Sequence, residues 1–307
     1  MISTRAAERK KQTLDGGYGM FLLPGLVMFL LVIILPFVVT IALSFTKWNG
    51  VTAPKFIGLD NYATALGDSA FWSSFQNNIA LMLSMVVIPS ILGLLLAGLL
   101  FAFIAPHFGN GVASFFRAGF YLPQVMPVAV AGIVWGWILQ PDGALNSALQ
   151  AVGLGGLAHD WLGDGGTALF SIMAMMIWFQ VGFPLVIFFT ALQRTDPILT
   201  EAAALDGASP WQTFIKITLP QIRPEVFVVV LMTTIATLKV FGQVFVLTRG
   251  GPGDATLVPS YYVYDNFFQK ANVGYGSAIA TIMAIIIIIL AALFISVQSR
   301  RDLTEDF

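Results

Sequence analysis

The chain has 307 residues, of which 57% are hydrophobic and only 10% are charged, and its formal net charge is −1. Soluble domains carry about a quarter charged residues, so this composition excludes an ordinary soluble domain, and the near-zero charge gives no sign of nucleic-acid binding. The absence of cysteine excludes disulfides and thiolate chemistry.

The charged residues are segregated along the chain. Lys239 is the only charged residue in 226–248, and five further stretches contain none: 20–46, 79–105, 118–139, 167–193 and 276–299. Each is long enough for a helix to cross about 30 Å of hydrocarbon. The sequence therefore predicts an all-α membrane protein whose six transmembrane helices occupy 19–299, between a cationic tail, 1–18, and a C-terminal tail, 300–307.

The basic residues predict the orientation. They concentrate in both tails and in the two loops that six crossings place on the same side, at Arg117, Arg194, Lys216 and Arg223. The loops on the other side contain mostly aspartates. Because basic residues are retained on the cytoplasmic side, we expect both termini to be cytoplasmic in a multi-pass protein of the cell membrane.

Several kinds of catalytic site have no counterpart in the sequence. No segment reads G-x-x-x-x-G-K-[ST], so the chain lacks the phosphate-binding loop of nucleotide hydrolases. Its two histidines, His107 and His159, lie in loops predicted on opposite sides of the membrane. No predicted span contains a carboxylate for proton transfer. These observations disfavour an intramembrane enzyme and a proton-coupled carrier.

The cytoplasmic loop 194–224, here called the coupling loop, is polar and rich in helix-capping residues. Asp196 is placed to cap a helix that should end at Gly207, where a left-handed residue is needed. Ser209 should cap a second helix, with Gln212 three residues later completing a capping box, and Pro220 should end it. The sequence predicts two short helices joined at a glycine.

The residues of this loop follow a fixed spacing. In chain order they are Glu201, Ala202, Ala203, Asp206, Gly207, Ile217, Leu219 and Pro220. The pattern, E-A-A followed by G and then I-x-L-P, resembles the cytoplasmic signature of permease subunits of binding-protein-dependent ABC importers.

The resemblance extends over most of 20–299. Segments 56–62, 142–146, 247–256 and 274–278 are similar to carbohydrate permeases, within which the chain resembles the maltose-F-like subunit and the permease A subunit for glycerol-phosphate compounds. An ABC importer type I permease fold is implied.

The resemblance implies that this chain forms half of a transport pathway. Its partners would be a second homologous permease subunit, two ATP-binding subunits that hold ATP and Mg, and an extracytoplasmic sugar-binding protein. The first coupling helix would insert into the ATPase, with Glu201 pairing with a basic residue and Gly207 allowing close approach. The chain itself would have no catalytic site and would bind no cofactor or metal.

Two features of the spans are candidates for the substrate pathway. Pro123 and Pro127 should kink the third span and expose carbonyl groups. Lys239 should lie roughly 14 Å deep at 1.5 Å per residue, where a charge is costly, paired with carbonyls, a partner subunit, the substrate or Asp254. Side chains suited to binding a sugar are Phe241, Gln243, Trp178, Gln180, Asn78 and Gln124.

Three alternatives stay open from the sequence. The importer could carry polyols or glycerol-phosphate compounds, for which Lys239 offers a cation. The chain could instead be a stand-alone secondary carrier or channel, or an intramembrane enzyme. The sugar itself is not specified by these residues, because the binding protein and the second permease share the specificity.

Overall fold

The computed structural model describes residues 18–305, and the cationic tail predicted at 1–18 lies almost wholly outside them. The first span and the outer loop that follows it contain α1 (Tyr18–Phe29), a π-helical turn (Leu30–Ile34), α2 (Leu35–Ser44), β1 (Thr46–Lys47), β2 (Lys55–Phe56) and α3 (Asp60–Gly67). The two strands pair antiparallel, with Thr46 opposite Phe56.

The middle of the chain contains the second, third and fourth spans. Their elements are α4 (Ser69–Leu99), a π-helical turn (Leu100–Ile104), α5 (Ala105–Phe108), α6 (Asn110–Val125), α7 (Val128–Ile138), α8 (Ala144–Ala151), a 3-10 turn (Gly155–Leu157), α9 (Ala168–Gln180) and α10 (Gly182–Leu192). The break between α6 and α7 falls at Met126 and Pro127, where the sequence predicts a kink.

The coupling loop and the last two spans complete the chain. Their elements are α11 (Pro197–Leu205), α12 (Pro210–Thr213), a π-helical turn (Phe214–Thr218), α13 (Leu219–Gln221), α14 (Arg223–Leu238), α15 (Gly242–Leu247), α16 (Pro259–Tyr264), a π-helical turn (Asp265–Gln269) and α17 (Val273–Glu305). Helix α17 thus continues through most of the predicted C-terminal tail.

Within residues 18–305, four continuous helical segments are long and apolar enough to cross a membrane: Phe21–Ser44, Ser69–Phe108, Ala168–Leu192 and Val273–Ser296. Two helix pairs reach that length only when taken together, Asn110–Val125 with Val128–Ile138, bent by 95°, and Pro210–Gln221 with Arg223–Leu238, bent by 68°. Counting each bent pair as one span gives six, in agreement with the predicted mostly helical membrane fold.

The fifth span differs from its prediction as one continuous helix over 226–248. Helix α14 ends at Leu238, Lys239 is its C-terminal cap, and the chain resumes as α15 at Gly242. No proline interrupts this stretch. Tertiary hydrogen bonds hold the break, because Asn78 donates to the carbonyl of Thr237 at 3.1 Å and Ser260 donates to the carbonyl of Val240.

The buried apolar side chains form two clusters. One surrounds Met175 and Val244 and includes residues from the loops opposite the coupling loop. The other surrounds Phe188, Phe189 and Ile222 at the coupling-loop end. Helix α10 therefore anchors the base of the coupling loop in a packed core.

Candidate functional site

The coupling loop contains the two capped helices that the sequence predicts. The Asp196 carboxylate accepts a hydrogen bond from the backbone N–H of Ile198 at 2.9 Å, capping α11. At α12, the Ser209 hydroxyl accepts from the N–H of Gln212, and the Gln212 side chain accepts from the N–H of Ser209, forming the predicted capping box. Local sequence alone therefore sets both helix starts.

Gly207 ends α11 as predicted, in the left-handed region at φ 78°. The N–H of Ala208 donates to the carbonyl of Ala203 at 2.9 Å, and the N–H of Gly207 donates to that of Ala204 at 3.1 Å. This pair of bonds is a Schellman motif, which turns the chain sharply after the helix. No atom of the described chain lies within 4 Å of a Cβ built on Gly207, so its φ, rather than crowding by its own chain, requires glycine.

The predicted end of the second coupling helix at Pro220 is wrong. A π-helical turn over Phe214–Thr218 precedes this proline, and the helix continues to Gln221. In the π turn the N–H of Leu219 bonds the carbonyl of Phe214, five residues earlier. The wider turn accommodates a residue that has no N–H to donate, so Pro220 lies inside the helical path.

The base of the coupling loop is tied in two places. Arg194, after α10, forms an ion pair of 2.7 Å with Glu225 in the first turn of α14. The N–H of Asp196 also donates to the side chain of Gln221 at 3.1 Å. The two ends of the loop are therefore joined, and a cavity of about 330 Å³ lies between its helices and the end of the second span, near Phe101 and Ala204.

Helix α11 presents one exposed face at helical spacing. Ile198 is 69% exposed and Leu205 is 89% exposed, while Glu201 and Ala202 between them are also exposed. Ala203, on the opposite side, is buried. Residues spaced i, i+3, i+4 and i+7 share one side of a helix. Helix α11 therefore has a mainly apolar stripe with one carboxylate on its exposed surface.

Part of the sequence motif packs against the chain's own spans. Ile217 and Leu219 are partly buried, and Leu219 packs against the cluster around Phe188. Pro220 and Asp206 are exposed. Within the motif, Glu201 and Ala202 on α11 thus face outward, whereas Ile217 and Leu219 attach the loop to the spans, a division that the spacing alone does not reveal.

Three of the amides predicted along the pathway bond to other spans. The side-chain amide of Gln124 donates to that of Gln180 at 3.0 Å, and Gln180 donates in turn to the hydroxyl of Thr233 at 3.4 Å. Asn78 is buried and donates to the Thr237 carbonyl. These side chains cross-link the spans within the chain.

The other predicted pathway residues lie apart from those amides. Phe241 stacks on Phe245 and Tyr261, Gln243 is partly buried in α15, and Trp178 packs against Trp135 at 5.7 Å between ring centroids.

The side chain of Lys239 is exposed, and its ammonium group makes no ion pair or hydrogen bond with any residue that the structure describes. Asp254, the intrachain partner considered for it, does not pair with it within that part of the chain. The described chain supplies no carboxylate to neutralise this ammonium group. The sequence predicts Lys239 in the middle of a helix, whereas it caps the end of α14. The prediction missed this because no local sequence signal marks the interruption of the fifth span.

A carboxylate on the opposite side of the molecule was not predicted as a site residue. Asp68 caps α4 and accepts hydrogen bonds from the hydroxyls of Tyr262 and of Tyr275, the latter at 2.6 Å. Partial burial alone would raise the pKa of Asp68, but these bonds and those from the backbone of Ala70 and Phe71 outweigh it and hold the pKa below its usual value. Burial and the Asp68 carboxylate together raise the pKa of Tyr262 to about 12.

Comparison with known proteins extends over nearly the whole chain. Residues 95–302 match the family model described as the inner membrane component of binding-protein-dependent transport systems. The probable ABC transporter permease protein YurN of Bacillus subtilis is 37% identical over 274 residues, covering 89% of this chain and 92% of that protein. MsmF of Streptococcus mutans, a permease protein of a multiple sugar-binding transport system, is 31% identical, covering 92% and 95%.

A solved structure gives the same architecture. It is the crystal structure of a bacterial ABC transporter involved in the import of the acidic polysaccharide alginate. One of its chains superimposes with a TM-score of 0.78 at 23% identity, covering 94% of this chain and 96% of that one. The likeness establishes a common fold of the ABC importer type I permease kind.

Proposed function

The chain belongs to the family of inner membrane components of binding-protein-dependent transport systems and is a permease subunit of an ABC importer, and from this premise we propose that it carries a sugar. The proposal of a sugar is supported by the relative named for multiple sugar-binding transport and by the four sequence segments that resemble carbohydrate permeases. A stand-alone secondary carrier does not agree with the family membership.

The observation that carries the mechanism is the exposed face of α11. A membrane protein that has no nucleotide-binding loop in its sequence displays Ile198, Glu201 and Leu205 on a rigid helix. This face fits a cleft on a separate ATP-binding subunit, with the apolar side chains inserted and Glu201 paired with a basic residue of that subunit. ATP and Mg are then held by two such subunits.

The capped helices transmit the movement of the ATPase. Closure of the ATP-binding subunits displaces α11, and the Schellman turn and capping box keep the two coupling helices in a fixed relation. The tie between Arg194 and Glu225 passes the displacement to α10 and α14 together. Coupling requires an element with two arrangements that both ligands influence, and the bent junction at Ile222 supplies a place for this change.

The remaining partners complete the pathway. A second, homologous permease subunit lies beside this chain, and an extracytoplasmic binding protein delivers the sugar to the side opposite the coupling loop. Lys239 and the aromatic group around Phe241 lie on the fifth span and its outer loop. A lone ammonium group in hydrocarbon is costly, so Lys239 faces the pathway or the second permease rather than lipid.

The test of the sugar assignment is uptake by cells. Cells that contain or lack this chain are given radiolabelled glucose, maltose, lactose and glycerol 3-phosphate in turn, with and without a protonophore. We expect one of the three sugars to enter only when the chain is present and to continue entering with the protonophore, because ATP powers the transport. Entry of glycerol 3-phosphate alone would favour the glycerol-phosphate alternative, and uptake abolished by the protonophore would contradict ATP-driven import.

A further inference from the structure

A chain of hydrogen bonds, partly buried at Gln124 and buried beyond it, links four of the spans. Gln124 on α6 donates to Gln180 on α9, and Gln180 donates to Thr233 on α14. One turn later on α14, Thr237 donates to the carbonyl of Thr233 at 2.8 Å, and its own carbonyl accepts from Asn78 on α4. We call these five residues the amide network.

The amide network lies where two of the spans are interrupted. Gln124 precedes the break of the third span at Met126 by two residues, and Thr237 precedes the break of the fifth span at Lys239 by two residues. Of its other three members, Thr233 is also on α14, and Asn78 and Gln180 belong to the two continuous helical segments Ser69–Phe108 and Ala168–Leu192. Continuous spans thus hold the last turns of interrupted ones.

Beyond the breaks, the interrupted spans pack against each other instead. A Cβ on Gly242, at the start of α15, would lie 2.5 Å from Cγ1 of Val128 at the start of α7. Gly132 on α7 likewise faces Val246 on α15, with a built Cβ only 3.0 Å from its Cγ1. Helices α7 and α15 therefore form a closely packed pair, while α6 and α14 are attached to the continuous spans.

The attached helices, α6 and α14, are connected to the coupling loop through α10. Gly182 at the start of α10 allows direct backbone contact with α6, because a Cβ there would lie 2.4 Å from the carbonyl oxygen of Phe120. At its other end, α10 is tied to α14 by Arg194 and Glu225. The fourth and fifth spans are thus connected twice: beside the coupling loop by Arg194 and Glu225, and at the amide network by Gln180 and Thr233, which lies roughly 12 Å from Glu225 along α14 at 1.5 Å per residue.

Stability alone does not account for glutamine at position 124. Its side-chain oxygen Oε1 is buried and accepts no hydrogen bond from any described residue. An unpaired buried acceptor is destabilising, and replacing both members of a buried hydrogen-bonded pair by apolar side chains of similar shape is often nearly neutral. An apolar pair would therefore fill the space without this cost.

We propose that Gln124 and Gln180 are positioning residues that join the inner halves of the interrupted spans to the fourth span, so that movement of the coupling loop reaches both breaks as one displacement. This inference rests on the proposed function. It reassigns the two amides from sugar contact to the transmission of conformational change. Thr233 completes the link, and the pair α7 and α15 is the element that the displacement reaches.

The test uses Mg·ATP hydrolysis by the assembled importer in lipid vesicles, measured with and without its binding protein. The variants Gln124→Met and Gln180→Met, and the double variant, replace amides with apolar side chains of similar length. We expect each single variant to keep basal hydrolysis but to reduce the stimulation by the binding protein roughly tenfold, within the usual range of coupling free energies. The double variant should show the same loss, because either single change already removes the hydrogen bond between Gln124 and Gln180.

The matched control is Gln150→Met, the same substitution at an exposed glutamine outside the network, which should leave the stimulation unchanged. Losses that multiply in the double variant, or a parallel fall in basal and stimulated hydrolysis, would overturn the inference. If the methionine variants fail to assemble, Gln180→Asn keeps an amide but withdraws it by one methylene, and it should lose the stimulation. Absence of hydrolysis in the wild-type importer would instead contradict the proposed function.

Discussion

Gly207 is the residue whose role the structure defines most closely. Its φ of 78° requires glycine or a residue that tolerates the left-handed region, and the space around it is empty. A side chain there therefore meets nothing in this chain. Any effect that grows with side-chain size must come from a partner that approaches the turn.

The backbone conformation of Gly207 and the space around it can therefore be tested separately by two substitutions. Asparagine tolerates the left-handed region, so Gly207→Asn should keep most of the uptake. Gly207→Trp should abolish uptake while the protein still reaches the membrane, because the indole blocks the ATPase from approaching. Uptake of the sugar and the amount of protein in the membrane are the measurements.

Gly109 provides the control for this comparison. It lies in the loop between the second and third spans, predicted on the same side as the coupling loop, with a φ of 87° and equally open surroundings. Gly109→Trp should therefore preserve uptake. Equal losses at both positions would show that backbone strain alone explains the effect at Gly207.

Asp68 links the start of α4 to the hydroxyls of Tyr262 and Tyr275, on the side opposite the coupling loop. Because its pKa is lower in the folded protein than in the unfolded chain, the carboxylate stabilises the fold at every pH above its unfolded pKa. That contribution is lost as the pH falls through the lowered, folded pKa.

We expect Asp68→Asn to lower the melting temperature of the purified protein by a few degrees at neutral pH. The difference from wild type should shrink as the pH falls from the unfolded pKa through the lowered, folded pKa, because the folded wild-type carboxylate is protonated only below the latter. Asp60→Asn, at an exposed aspartate on α3, is the control and should leave the melting temperature unchanged. A difference for Asp68→Asn that is constant from neutral to acidic pH would contradict this role of the charge.

At the scale of the elements, the breaks of the third and fifth spans are held by tertiary packing. Pro127 removes a backbone hydrogen bond, but straightening the third span would separate α7 from α15 and expose buried Ala131 and Val244. Recovered hydrogen bonds contribute about 1 kcal/mol each, whereas lost packing costs about 2–5 kcal/mol per large side chain. The packing outweighs the hydrogen bonds.

The third span should accordingly stay bent in Pro127→Ala. Spin labels on cysteines introduced at exposed Phe115 and Trp137, in a chain that has no cysteine of its own, measure the separation of α6 and α7. We expect the same distance in Pro127→Ala as in wild type. Gly242→Val should change it, because the new side chain collides with Val128. A longer distance in Pro127→Ala would show that the proline itself holds the bend.

The difference between local interactions and tertiary packing explains which features could be predicted from the sequence. The coupling helices are set by residues within a few positions of each other, as at Asp196 and Ser209, and their caps were predicted correctly. The break at Lys239 depends on Asn78 and Ser260, which are far away in the chain, so no local pattern announces it. The pairing of Gln124 with Gln180 was hidden for the same reason, since both were predicted only as polar residues along the pathway.

At the scale of the whole molecule, the proposed mechanism has one end of the chain receive mechanical work and the other end meet the delivered sugar. The exposed face of α11 lies at the first end, and the Asp68 contacts lie at the second. Two continuous spans, the second and the fourth, connect these ends through the amide network. In the proposed mechanism, this arrangement explains why a permease whose sequence has no nucleotide-binding loop has two capped helices in its coupling loop.

The most direct test of this account is whether an ATPase copurifies with the tagged chain and whether the face of α11 is required. Leu205→Asp changes a side chain that is 89% exposed, so the chain itself should fold, while Leu157→Asp, at 57% exposure in an opposite loop, is the control. We predict ATP hydrolysis in the wild-type and Leu157→Asp preparations and at least a roughly thirtyfold loss in Leu205→Asp, which corresponds to the about 2 kcal/mol or more expected of a central interface residue. Equal hydrolysis in all three preparations would contradict the claim that α11 is where ATP hydrolysis is coupled to transport.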